Sequence, residues 1–169
     1  TQKYNGYKNM GLSLDLSRGK PGRAQLNMLS GMLYCIHSSA DCRSADGFDY
    51  RNYGLLDGVP EAKKLFSELL GIPESHIIVA GNSSLNMMYD TVVRCMLYGV
   101  AGVGKPWVKE EKVKFLCPVP GYDRHFAICQ FFGIEMINIP MTAEGPDMDA
   151  IEEAVKDSSV KGMFCVPKY

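Results

Sequence analysis

The chain has 169 residues, of which 46% are hydrophobic, 22% charged and 10% aromatic: material for one ordinary domain or part of a larger one, and too apolar to stay disordered. Eighteen basic residues against nineteen acidic ones leave a net charge of -1, which offers no electrostatic footing for nucleic acid or an anionic membrane. No apolar run approaches the ~18 residues of a transmembrane helix, and the polar start, Thr1 to Met10, carries no signal-peptide pattern.

The first twenty-two residues read as an arm with a short extended piece, because Leu12, Leu14 and Leu16 alternate with Ser13, Asp15 and Ser17 before Pro21-Gly22 breaks the run. From Arg23 to His37, Leu26, Leu29, Leu33 and Ile36 form a helical stripe. Asp41 to Asn52 is polar and reads as a connecting loop. Helix and strand then alternate. Ala62, Leu65, Phe66, Leu69 and Leu70 mark one face of a helix closed by Gly71. His76 to Ala80 predicts a short buried strand, and Leu85, Met88, Val92, Cys95 and Met96 the next helix. Val113 to Cys117 predicts a strand, Tyr122 to Phe132 a helix, and Ile134 to Ile139 a strand. Asp149 to Glu152 reads as a capping box opening a helix through Val155, followed by a strand from Gly162 to Val166 that Pro167 ends. Short apolar strands between helices predict an α/β fold with a mostly parallel sheet and helices on both faces. The sequence ends at Tyr169 directly after a strand, so it is expected to be a portion of a longer polypeptide.

Six cysteines form no C-x-x-C pair, and no histidine pair has zinc spacing, so no metal site is expected. Cys95, Cys117 and Cys165 lie in apolar stretches and read as buried reduced thiols. A reducing compartment follows, most simply the cytoplasm. Gly99 to Lys105 fits a phosphate-loop spacing, but Pro106 stands where Ser or Thr would hold magnesium and the stretch follows a helix, so it reads as an inter-element loop.

Three stretches carry chemistry. Ala80-Gly81-Asn82-Ser83-Ser84 places glycine and small polar residues at a helix start, which suits either an anion cradle or a plain helix cap. Pro118 to Phe126 puts Tyr122 at the carboxyl edge of the sheet, where ligands of open α/β sheets bind, either to stack on a planar ring or to pack. Tyr50 to Gly58 joins aromatics, glycines and Arg51 in a loop that is either functional or an ordinary turn.

Together these stretches resemble the fold-type-I pyridoxal-phosphate-dependent aminotransferases, and among them the type Ic aspartate aminotransferases. The resemblance runs over nearly the whole chain. It rests on Leu14-Asp-Leu-Ser-Arg-Gly-Lys-Pro21, Asp49-Tyr-Arg-Asn-Tyr-Gly-Leu-Leu-Asp-Gly-Val-Pro-Glu-Ala62, Gly81-Asn-Ser-Ser84, Cys117-Pro-Val-Pro-Gly-Tyr-Asp-Arg-His-Phe126 and Gly145-Pro-Asp-Met-Asp149, in that order.

The resemblance implies a portion of the PLP-dependent transferase fold type I. Residues 1–45 would form an N-terminal arm and a small-domain helix, and residues 46–169 the first part of the large cofactor-binding domain, truncated at its C-terminal end. It implies pyridoxal 5'-phosphate as cofactor, with Gly81, Asn82 and Ser83 at its phosphate and Tyr122 on its pyridine ring. Tyr53 would reach the phosphate in the neighbouring subunit of a homodimer. Gly19 would lie near the substrate carboxylate, and His125 near the ring.

The chain departs from the family by lacking the asparagine expected just after Tyr169, the aspartate at the pyridine nitrogen, the Schiff-base lysine and the substrate-binding arginine, so no catalytic residue is expected within it. The implied reaction, in the parent polypeptide, moves an amino group from an amino acid, aspartate or glutamate, to a 2-oxo acid. The alternatives are a non-catalytic binding or regulatory module of the same fold, or a lyase or decarboxylase.

Overall fold

The computed structural model describes residues 1–15, 19–101 and 104–166. Leu16 of the expected extended piece, residues 16–18 of the Leu14–Pro21 stretch, residues 102–103 of the glycine loop and Pro167 lie outside the described residues. The chain divides into two compact units, residues 1–79 and 80–169.

The first unit holds three α-helices among its described residues: α1 (Gln2–Asn9), α2 (Arg23–Met28) and α3 (Pro60–Leu70). The arm is thus helical over α1, while residues 12–15 form no strand. The helix expected from Arg23 to His37 is broken: α2 ends at Met28 and a 3-10 turn covers Ser30–Tyr34. Its stripe of Leu26, Leu29, Leu33 and Ile36 is exposed, so no tertiary packing supports it. Gly31 further weakens the continuation, and helices this short depend on packing rather than propensity.

Helix α3 forms as expected. Pro60 occupies its first turn, Glu61 complements the positive end, and Gly71 at φ 68° ends it in the left-handed region. The polar loop before it is more ordered than its composition suggests. A 3-10 turn at Ser39–Cys42 leads into an antiparallel bridge between Arg43 and Asp49.

The expected strand at His76–Ala80 is not part of the sheet. Residues Glu74–His76 make a 3-10 turn, and Val79 N–H donates to Asp57 O at 2.9 Å. Ile77 is buried but Ile78 is 73% exposed, so the run buries one side chain and pairs with no strand among the described residues.

The second unit carries the sheet. Its strands are β1 (Lys114–Val119), β2 (Glu135–Thr142), β3 (Gly145–Pro146) and β4 (Val160–Met163), in the order β3-β2-β1-β4. β1 pairs in parallel with β2, from Lys114 opposite Glu135 to Val119 opposite Pro140, and in parallel with β4 on its other side. β3 closes a short antiparallel hairpin on β2 that the sequence reading missed, being only two residues long.

Helices α4 (Ser84–Tyr98), α5 (Asp123–Phe131) and α6 (Met148–Ala154) cover the sheet. Alternation along β1 sends side chains to two cores. Phe115 and Cys117 pack with Val92 of α4 and with Ile128 and Cys129 of α5, whereas Leu116 packs with Ile139 and with Ile151 of α6. Both faces of the central strand are therefore sealed by helices, as a continuous apolar run predicts. Each fully buried large aliphatic or Phe side chain contributes roughly 1.5–3 kcal/mol.

Helix α6 begins one residue before its expected capping box. Asp147, not Asp149, is the cap, its Oδ1 accepting from Ala150 N–H at 3.0 Å. Of the three cysteines expected to be buried, Cys117 is buried, Cys95 is half-buried and Cys165 is exposed; Cys129 is the other buried thiol, and all six are free. None of the described helices is long and apolar enough to cross a membrane.

Candidate functional site

β1 ends on Pro118 and Val119 and leaves the sheet through Pro120 and Gly121, and this exit sets the geometry of the strand ends. Pro118 is buried, and the Val119–Pro120 peptide is cis. Gly121 is required by space: a Cβ there would lie 2.6 Å from Pro118 O and 2.7 Å from Phe126 Cζ. The closed turn delivers Tyr122 in an extended conformation as the cap residue of α5, where its carbonyl accepts from His125 N–H at 3.1 Å.

One turn of helix brings Tyr122 and His125 onto one side. Their rings meet edge to face, 5.1 Å apart at 89°. His125 in turn stacks on Phe164, 5.0 Å apart at 21°. Phe164 follows β4, and its N–H donates to Leu116 O of β1 at 3.2 Å. Tyr122 is 47% exposed and His125 only 6%, so the column runs from an open aromatic face to a buried base. Burial pushes the His125 imidazole below its ordinary pKa, which keeps it neutral near pH 7. The column stands at the carboxyl ends of two parallel strands, the usual ligand edge of such sheets.

Ser83 caps α4, its Oγ accepting from Asn86 N–H at 3.4 Å. The remaining opening amides of a fifteen-residue helix are left for a ligand or water by helix geometry, and the macrodipole favours an anion there. Asn82 is exposed and its side chain makes no hydrogen bond among the described residues. A Cβ on Gly81 would meet nothing within 4 Å, so the space before the helix is open. Leu85, just inside α4, packs on the same core as Phe126 and Phe164, so the start of α4 and the exit of β1 share one core.

Gly19 and Tyr53 belong to the first unit, and Gly81, Asn82, Ser83 and Tyr122 to the second. Tyr53 is 94% exposed and bonds to no described residue. Gly19 is exposed with open space about it. Phe164 was missed as a site residue. Its signal was its position two residues after Gly162 in the predicted last strand, but nothing in a strand pattern reveals which ring a residue stacks on.

A mostly parallel sheet sealed by helices, with an aromatic column at its strand ends and an open helix start beside the same core, defines an α/β fold. Residues 1–169 match the family described as aspartate amino-transferase. An aspartate aminotransferase of Corynebacterium glutamicum is 46% identical over 168 residues, covering 99% of this chain and 39% of that protein. The crystal structure of an aspartate transaminase from the same species is similar with a TM-score of 0.84 at 46% identity, over 96% of this chain and 38% of that one. The chain belongs to the aspartate aminotransferase family, and it spans about two fifths of the length of these relatives.

Proposed function

We propose that the intact protein is a pyridoxal-phosphate-dependent aminotransferase, moving an amino group from aspartate or glutamate to a 2-oxo acid. The family match along the whole chain carries this reading. When bound, the cofactor supplies the electron sink that makes transfer of the amino group feasible.

The residues present fit such a group. Gly81 leaves open space at the start of α4, and the helix amides with Asn82 and Ser83 suit a phosphate dianion. The exposed face of Tyr122 suits a flat, electron-poor ring. His125 lies behind Tyr122 as a neutral base and holds that ring from its buried side. Gly19 would let the chain approach the substrate carboxylate. Residues 1–45 would serve as arm and small-domain helix, and residues 46–169 as the first part of the cofactor domain. Tyr53, bare in the single chain, would reach the phosphate of a neighbouring subunit, which makes the working form a homodimer. Six free cysteines support a reducing compartment, the cytoplasm.

The test is spectroscopic and chemical. Purified intact protein, incubated with pyridoxal 5'-phosphate, should gain an absorption band in the visible or near-ultraviolet that shifts on adding L-aspartate. With 2-oxoglutarate it should then release oxaloacetate. A colourless protein that makes no oxaloacetate defeats the reading.

A further inference from the structure

The arc from Arg51 to Gly58, which carries Tyr53, hangs between two anchored ends. At the first, Arg51 Nε and a second guanidinium nitrogen bond Asp49, 2.8 Å and 2.5 Å, and hold its carboxyl well below the usual carboxylate range. Tyr50 O–H donates to Glu61 in the first turn of α3, and Ala45 N–H donates to the same carboxylate at 3.2 Å. At the second end, Val79 N–H donates to Asp57 O at 2.9 Å.

Gly58 makes that second anchor possible. It sits at φ 110°, and a Cβ on it would come 2.7 Å from Val79 Cβ and 3.1 Å from Val79 Cγ2. Any side chain at 58 would therefore strain the backbone and push Val79 away.

We propose that Gly58 is a positioning residue for phosphate binding, setting through its joint with Val79 the arc that presents Tyr53. This rests on the reading of Tyr53 and Gly81–Ser83 as phosphate ligands. In a homodimer each subunit lends its arc to one phosphate and its helix start to the other. Opening the joint in every subunit then displaces the arc, and Tyr53 with it, at every site. Hydrogen bonds weaken steeply outside a narrow range of distance and angle, so a small shift at the joint is felt at the phosphate.

The test compares pyridoxal 5'-phosphate with pyridoxal, which lacks the phosphate, by absorbance titration of the intact protein. Gly58→Ala should weaken pyridoxal 5'-phosphate by about tenfold or more while pyridoxal weakens by less than about twofold. Gly58→Ala combined with Val79→Gly should recover part of the loss, because the second change removes the atoms in the way. If Gly58→Ala does not fold, Val79→Gly alone, which loosens the joint from the other side, must show the same phosphate-selective loss. Equal weakening of both ligands, or no weakening, overturns the proposal. Tyr53→Phe and Ser83→Asp separate the two levels. If neither changes the preference for the phosphorylated ligand, the phosphate reading itself fails; if they do and the joint variants do not, only the role of Gly58 fails.

Discussion

Phe164 lies face to face with His125, their ring centroids 5.0 Å apart and their planes inclined by 21°. The two residues come from different elements: Phe164 is fixed by its hydrogen bond to β1, and His125 by the first turn of α5. The imidazole therefore has an aromatic floor, and Tyr122 stands edge-on above it. No charged side chain faces His125 in these ring contacts, and burial alone accounts for its lowered pKa.

That lowering has a sign. With the folded pKa below the ordinary value near 6.5, the unfolded chain binds the His125 proton first. Stability is unaffected by His125 above that ordinary value. It falls as pH drops into the window between the two pKa values and levels off below the folded one. His125→Gln removes the effect. Denaturant midpoints measured from about pH 7.5 to pH 5 should fall more steeply for wild type than for His125→Gln. Parallel curves would show that the imidazole is not held neutral.

Tyr122 presents a half-exposed ring at the ligand edge, and its hydroxyl has no role in the stacking geometry. Tyr122→Phe should keep most of the affinity for pyridoxal 5'-phosphate, while Tyr122→Ala should lose more, by ~0.5–1.5 kcal/mol beyond simple burial. Binding titrations of the two variants decide it. If Phe proves as damaging as Ala, the hydroxyl rather than the ring holds the cofactor.

Gly121 closes the turn that aims Tyr122. With a Cβ 2.6 Å from a backbone oxygen and 2.7 Å from the Phe126 ring, Gly121→Ala has to move the exit of β1 or the first turn of α5. Overpacking of this kind costs about 1–3 kcal/mol, so the denaturant midpoint should drop and cofactor affinity with it. Wild-type values of both would mean that the turn absorbs a methyl group without moving Tyr122.

What was legible in the sequence follows how local each signal is. Helices α3, α4 and α5 and strands β1 and β2 show their period within one element, and each is found within two or three residues of its expected place. Stripes that need a distant partner misled. The Arg23–His37 stripe and the His76–Ala80 run have the right residues, but among the described residues nothing packs or pairs with most of them, and helix and strand do not persist there. The cap expected at Asp149 lies two residues late, because Asp147 already accepts from the Ala150 amide. At the site, the strand-end position of Tyr122 could be read from Pro118 and Pro120. The stack of His125 on Phe164 could not, since it joins α5 to a residue that follows β4, with β2, β3 and α6 in between.

Ser83 carries two possible duties that one pair of substitutions separates. As the cap of α4 its Oγ accepts from Asn86 N–H at 3.4 Å. Replacing it with alanine removes that acceptor, and loss of a cap costs ~1 kcal/mol of stability. Aspartate is as good a cap as serine, and its charge favours the positive end of the helix. Ser83→Asp should therefore keep the stability of the protein at or above that of wild type. The same carboxylate faces a phosphate dianion if one binds there, so affinity for pyridoxal 5'-phosphate should drop sharply, and more than affinity for pyridoxal. Ser83→Ala should do the opposite in kind: a lower unfolding midpoint with a smaller loss of binding. Measuring unfolding midpoints and both affinities for the two variants gives four numbers with opposite expected patterns. If Ser83→Asp binds the phosphorylated ligand as well as wild type, Ser83 is a cap alone and the anion lies elsewhere.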